Sequence, residues 1–265
     1  MKEIPFQILP ASLLNEYKAH FPQTVLKAFE NLTDSELSVK SFSFYTSVSA
    51  VFSSKIEGEE IELDSYLKHK MLGVKFLPDY TRKIDDLYDA YLFGQQNDLS
   101  EDNLLQAQAI ITRHILQKQQ RGKIRGGMMY VMTPDGRIEY VACAPAKVNE
   151  EMKKLYGDID KLLITALSFE ETFFFAAMIH LVFVKIHPFD DGNGRSARLL
   201  EKWFLAQKLG QKAWYLQTEK LYYSRHANYY KNTRLLGLEY DLLDYGHALP
   251  FLQMLPQALS APTEA

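Results

Sequence analysis

Apolar residues recur every four positions through SVKSFSFYTSVSAVFSSKIEG, residues 38–58, where Phe44, Val48, Phe52 and Ile56 form one stripe and Gly58 stands just past its end. That spacing predicts an amphipathic helix closed by a glycine, placed at about residues 40–57. The same three-to-four periodicity runs through TRKIDDLYDAYLFGQQND (81–98) and SEDNLLQAQAIITRHILQKQ (100–119), the second opening on Ser100 as a helix cap. It returns in AKVNEEMKKLYGDIDKLL (146–163). Ser168 and Glu171 then have the spacing of a capping box ahead of FFFAAMIHLVFV, residues 173–184, which is apolar on every face and therefore reads as a buried helix. A further helix is expected over 196–208, ending at Gly210, with shorter helical stretches at 223–237 and 247–259. The pattern changes once. In GKIRGGMMYVMTPDGRIEYVACAP, residues 129–132 and 138–141 favour strands and flank Thr133, Pro134, Asp135 and Gly136, a turn sequence, so a hairpin is expected.

Composition narrows the class. The chain has 265 residues, 47% apolar and 13% aromatic, enough for a sizeable core. A formal net charge of −3 without a run of basic residues argues against a broad nucleic-acid surface. The single Cys143 cannot form an internal disulfide, and a cytoplasmic protein is expected. The 12-residue apolar run is well short of the about 20 residues needed to cross a bilayer, so no membrane span is expected. There is no Gly-x-x-x-x-Gly-Lys-Ser/Thr loop and no zinc-type cysteine or histidine spacing.

The candidate chemistry lies in KIHPFDDGNGRSARLLEKWF, residues 185–204. Pro188 disfavours helical backbone at His187, which places the imidazole at a helix end. Gly192 and Gly194 permit curled backbone leading into a new helix, whose free amides form an anion-binding concavity. Arg195 and Arg198, one turn apart, can reach a ligand there, and Asp191 suits a Mg²⁺ that arrives with a polyphosphate. A histidine beside such a site can serve as general base, which points to phosphoryl-type transfer. Taken singly, a His-Pro is a helix boundary, a Gly-Asn-Gly a turn, and Asp near Arg a surface ion pair; in this order between two helices they point to one site.

HPFDDGNGRSAR, residues 187–198, resembles the signature of the Fic-domain family, His-x-Phe-x-Asp/Glu-Gly-Asn-Gly-Arg-x-x-Arg, at every defining position. The resemblance implies an all-α Fic fold, a helical bundle with a small β-hairpin flap, that transfers AMP from ATP to a hydroxyl side chain of a protein target. It implies His187 as the base, with Pro188 and Phe189 structural in the motif and Asp191 holding Mg²⁺. Gly192, Asn193 and Gly194 would cradle the ATP phosphates, and Arg195 and Arg198 would bind those that leave, Arg198 taking the γ-phosphate. The hairpin falls where the family places its flap, so Met129, Tyr130, Val131 and Thr133 are expected to position the target's backbone.

SSKIEG, residues 53–58, resembles the family's inhibitory motif, Ser/Thr-x-x-x-Glu-Gly/Asn, with Ser53, Glu57 and Gly58 in the matching places. The expectation is an auto-inhibited protein adenylyltransferase in which Glu57 pairs with Arg198 at rest. Residues 1–104 would form a helical region carrying the inhibitory helix and 105–265 the catalytic core. With 16 tyrosines the chain could modify itself, and the sequence leaves homo-oligomerisation open. Rivals within the enzyme class keep the site but use another donor or remove AMP from a modified target. The rival of another class is a non-catalytic nucleotide-sensing or toxin-antitoxin-type regulator. His180 is read as a satisfied core histidine, His226 as a surface residue, and the pairs Tyr222-Tyr223 and Tyr229-Tyr230 as core packing or the wall of an adenine pocket.

Overall fold

The computed structural model describes residues 5–39, 42–132 and 136–259. Helices dominate: α1 (Leu14–Ala19), α2 (Thr24–Glu30), α3 (Phe44–Ile56), α4 (Leu63–Leu72), α5 (Pro78–Gln96) and α6 (Glu101–Ile111) precede a hairpin of β1 (Tyr130–Met132) and β2 (Ile138–Val141). Then follow α7 (Pro145–Ile164), α8 (Phe169–Ile186), α9 (Asn193–Leu209), α10 (Thr218–Ser224), α11 (His226–Arg234), α12 (Leu249–Leu252) and α13 (Met254–Gln257). The all-α expectation with one small hairpin is met.

The apolar run makes α8 the axis of the molecule: every residue from 172 to 183 is buried. Its start is fixed by the expected capping box, in which Ser168 and Glu171 satisfy each other's backbone N–H. Around α8 pack α9, α7 and α1. The N-terminal helices join the same core through ring contacts, Tyr17 against Phe174 and Phe29 against Phe169. The fully buried Asp158 on α7 accepts the N–H groups of Gln7, Ile8 and Leu9, tying the N-terminal segment down. One continuous apolar cluster thus spans both regions, and the boundary expected between residues 104 and 105 falls inside α6.

Two expected helices are shorter in the structure. The periodic pattern from residue 100 ends as a helix at Ile111, because Asp86 of α5 accepts hydrogen bonds from the N–H and Nδ1 of His114 at 3.0 and 2.8 Å, while Thr112 turns its hydroxyl back to Gln108. The stretch 247–259 is divided into α12 and α13.

Helix α3 lies against α5, α9 and α10. Its start is capped by Ser43, whose Oγ accepts from the N–H of Thr46. A polar stripe, Ser49, Ser53 and Glu57, runs down the face turned to α9, whose Lys202, Arg198 and Gly194 recur at the same four-residue interval. Lys202 Nζ reaches Ser49 Oγ at 2.7 Å and Arg198 Nε reaches Ser53 Oγ at 2.8 Å. At the deep end Lys202 also pairs with Glu219 of α10 at 2.6 Å, both side chains being 0% exposed. Glu219 receives a further hydrogen bond from Tyr91 of α5.

The hairpin is antiparallel, pairing Tyr130 with Val141 and Val131 with Tyr140, with an irregularity between Val131 and Met132. The N–H of Ala142 extends the ladder to the carbonyl of Met129 at 3.1 Å. The far edge of β2 is tethered where the N–H of Val141 donates to Leu238 O at 2.8 Å. Thr133, expected in the flap, lies outside the described residues.

Candidate active site

The turn between α8 and α9 is built by backbone constraints. At the end of α8, His187 adopts the left-handed conformation, φ 55° and ψ 61°, the one non-glycine residue with positive φ among those described. Such backbone costs roughly 1–3 kcal/mol and persists where its surroundings over-determine it. Arg125 supplies much of that constraint. Its side chain, 3% exposed, donates from Nε to His187 O at 2.7 Å, from Nη2 to Ile186 O at 3.3 Å and Cys143 O at 2.5 Å, and from Nη1 to Gly127 O at 2.6 Å. Its own N–H donates to Pro188 O at 2.9 Å.

Past the proline, Phe189 is fully buried against Phe183. Asn193 closes the loop with both ends of its amide: Oδ1 accepts from Phe189 N at 2.9 Å and Nδ2 donates to Phe189 O at 2.8 Å. Its side chain is thereby committed to the loop, so what it can offer a phosphate is its backbone N–H; the sequence pattern did not separate these two roles. Gly192, with φ 78°, begins α9, and a Cβ there would lie 2.9 Å from Thr112 Cγ2. Gln108 secures the same turn from α6 by donating to Asp191 O at 3.1 Å.

His187, Asp190, Asp191, residues 192–194, Arg198 and Glu57 line one cavity of about 330 Å³. Its other walls include Tyr130 and Val131 of β1, Lys185, and Tyr229 and Tyr230 of α11. Of the flap residues described, Tyr130 and Val131 reach the cavity, whereas Met129 serves the hairpin ladder. Nδ1 of His187 bonds the carbonyl of Val184 at 3.1 Å and so carries the ring proton, which leaves Nε2 as the basic nitrogen. Burial, the largest influence, pushes the imidazole below its usual 6.5 and keeps it neutral at pH 7. Lys185 Nζ sits 4.1 Å over the ring of Tyr140, and burial pushes its amine down to about 8.

Glu57 follows the last residue of α3 and overlies the start of α9. Its Oε1 accepts from Arg198 Nη2 at 2.7 Å, and a Cβ added at Gly194 would collide with it. Burial disfavours its charged form, but Arg198 and then Arg195 outweigh this and hold its carboxyl below the usual range. Arg198, 1% exposed, is gripped further by Ser53 through Oγ at 2.8 Å and through the carbonyl at 3.0 Å. Gly58, with φ 89°, lets the chain leave α3 immediately after Glu57. Arg195 is 7% exposed, and its Nε and Nη1 have no hydrogen-bond partner among the described residues. Arg195 is not among the residues lining the cavity, but its buried guanidinium with orphaned donors, one residue past Gly194 at the helix start, is a donor set that suits an anion.

Asp191 is exposed at the rim, one carboxylate oxygen accepting from Gly192 N. Among the described residues no cluster of three or more histidine, cysteine or acidic side chains could cage a metal alone. The single rim carboxylate of Asp191 fits Mg²⁺, which is commonly held by one or two carboxylates together with the phosphates of its substrate.

A helical bundle with a glycine-started helix, a histidine at the preceding turn and a hairpin bordering the same cavity defines the class. Residues 98–205 match the family model of the Fic/DOC family, and the chain carries a Fic/DOC domain there. The fold is shared with a Fic family protein from Desulfovibrio desulfuricans, at TM-score 0.71 and 22% identity over 97% of this chain and 74% of that one. It is shared also with Fic-1 from C. elegans, at 0.67 and 18% over 93% and 71%. A third likeness is to a Fic domain containing signaling protein from Bacteroides thetaiotaomicron, at 0.62 and 18% over 94% and 92%. No curated protein matches the chain.

Gln108, Ser49, Lys202 and Glu219 were not identified as site-supporting residues by sequence reasoning, whereas Arg125 closes RGKIR, residues 121–125, which resembles the family's Gly-x-x-Arg segment before the flap. That resemblance marked Arg125 but not the four carbonyls its side chain serves. His180 is a core histidine as expected, with both ring nitrogens hydrogen-bonded. His226 is exposed, as expected. No described helix is long and apolar enough to cross a membrane.

Proposed function

We propose that the protein is an auto-inhibited adenylyltransferase that moves AMP from ATP to a hydroxyl side chain of a protein. The observation that carries this reading is the meeting, in one cavity, of His187, the start of α9 and Arg198 already held by a carboxylate. In the reaction the hydroxyl oxygen bonds to the α-phosphorus, the bond from that phosphorus to the β-phosphate bridging oxygen breaks, and pyrophosphate leaves. The hydroxyl proton goes to Nε2 of His187, for which the neutral ring is prepared. The N–H groups at the start of α9, with Arg195 and Arg198, bind the departing phosphates. Asp191 would hold Mg²⁺, which when bound supplies neutralisation of phosphate charge.

Glu57 occupies the guanidinium that the outermost phosphate needs and lies over Gly194, where a phosphate would approach the helix start. The resting protein is therefore expected to transfer little AMP. The test uses ATP labelled at the α- or the γ-phosphate with the Glu57→Gly protein and a protein acceptor mixture, the chain itself included. A resting contact of about 1.4 kcal/mol withholds a factor of ten, so α-label incorporation should rise at least about tenfold and vanish in Glu57→Gly/His187→Ala. Incorporation of γ-label would make the protein a kinase. Absence of both would favour a nucleotide-binding regulator.

A further inference from the structure

Behind Arg198 a chain of polar side chains is buried in the aromatic core. Arg198 Nη1 lies 3.5 Å from the hydroxyl of Tyr229, and that hydroxyl is 2.9 Å from Nε2 of His180. Nδ1 of His180 is 2.8 Å from Oε2 of Glu201, and Tyr222 reaches the same carboxylate at 2.9 and 3.1 Å. His180, Glu201 and Tyr222 are 0% exposed and Tyr229 is 4% exposed. The surrounding space is filled by rings: Phe251 packs against His180, Tyr222 and Tyr229.

The direction of the chain follows from counting protons. Arg198 is a donor only and an ionised Glu201 an acceptor only. Among its partners the Tyr229 hydroxyl finds one acceptor, Nε2 of His180, so that nitrogen accepts and Nδ1 carries the ring proton to Glu201. Every hydrogen bond then points one way, Arg198 to Tyr229 to His180 to Glu201. Each donor in such a chain becomes a better acceptor at its other end, so the charge of Glu201 is felt at the Tyr229 oxygen facing Arg198. A fully buried carboxyl group held by a histidine and a tyrosine is costly relative to apolar residues of equal volume. Packing alone does not account for it in a core already lined with aromatic rings.

We propose that His180 and Glu201 are positioning residues for Arg198, acting through Tyr229, and that their task is to hold the guanidinium in place when Glu57 withdraws. At rest, α3 supplies three of the contacts to Arg198, two from Ser53 and one from Glu57, and the core supplies the fourth. Departure of Glu57 frees one donor of Nη2 toward the cavity, while Ser53 O and the Tyr229 hydroxyl still hold Nη2 and Nη1. The hydroxyl of Tyr229, a residue that also lines the cavity, keeps the guanidinium plane from following Glu57 or swinging to solvent. The inference rests on the reading of Arg198 as a polyphosphate ligand.

The experiment measures ATP affinity in the presence of Mg²⁺ by calorimetry, and KM and kcat for α-label transfer, all in the Glu57→Gly protein. Tyr229→Phe removes one hydroxyl, and Glu201→Gln keeps volume while removing charge. Each is expected to weaken ATP binding and raise KM about threefold to tenfold, the value of one ordinary hydrogen bond, with kcat changed less. The pair together should be no worse than Tyr229→Phe alone, since both cut one chain. In an Arg198→Ala background neither should matter. Unchanged ATP affinity, or equal weakening with and without Arg198, overturns the proposal. A purely structural network would lower Tm and the active fraction while leaving KM in place, which also overturns it. If Tyr229→Phe and Glu201→Gln weaken ATP binding through Arg198 but no AMP is transferred, the positioning role stands and the transferase reading falls.

Discussion

The two ends of the contact between α3 and α9 use the same kind of bond and differ in surroundings. At the deep end Lys202 bonds Ser49, Leu216 O and Glu219, and every one of these side chains is buried. At the shallow end Glu57 bonds an equally buried Arg198, but the glutamate is 27% exposed and borders a cavity. Removal of one partner from a sealed pair strands a charge, whereas a glutamate at a cavity rim can return to water. The difference separates an anchor from a latch: α3 is fastened at Ser49, and its last turn can be released without the helix leaving.

The largest effect expected from this contrast is on stability. Lys202→Met leaves Glu219 buried without its cation and should cost about 3–5 kcal/mol, a fall in Tm of roughly 6–20 °C by calorimetry. Adding Glu219→Leu should restore a large part of it; a single variant as stable as the parent would remove the anchor from the account. Ser53→Ala lies between the two ends. It deprives Arg198 Nε of a buried acceptor, so a loss of about 1–2 kcal/mol is expected together with partial activation in the AMP-transfer assay.

Glu57→Gln should change stability by under about 1 kcal/mol while raising transfer. An equal Tm loss at both ends would erase the distinction. The smallest effects concern pH. Because the Glu57 carboxyl is held below its usual range, the latch contributes fully above pH 4.5 and is lost as pH falls below that value. Basal transfer should therefore stay low from pH 5 to 9. In the Glu57→Gly protein the acid limb of the pH–rate profile should lie below 6.5, since burial lowers the His187 pKa and Glu57, one of the charges that raised it, is gone.

How much of this was legible depends on how local each feature is. The turn at residues 187–198 could be read directly, since Pro188, Gly192 and Gly194 act on their own backbone. Helix α3 was legible from its stripe, and α8 from its unbroken apolar run. The contact between Glu57 and Arg198 spans 141 positions, and only a family resemblance brought the two together. Lys202 and Glu219 look like surface charges in sequence; their burial depends on which helices meet, which no local pattern encodes. The overrun of α6 has the same origin, an Asp86 on another helix that claims the His114 N–H.

Arg125 has one more consequence. Its guanidinium joins Gly127 and Cys143, at the two roots of the hairpin, to the carbonyl of the residue bearing the base. The hairpin is in effect mounted on the same bearing as the histidine. Replacing Arg125 would therefore loosen the hairpin and the His187 turn together.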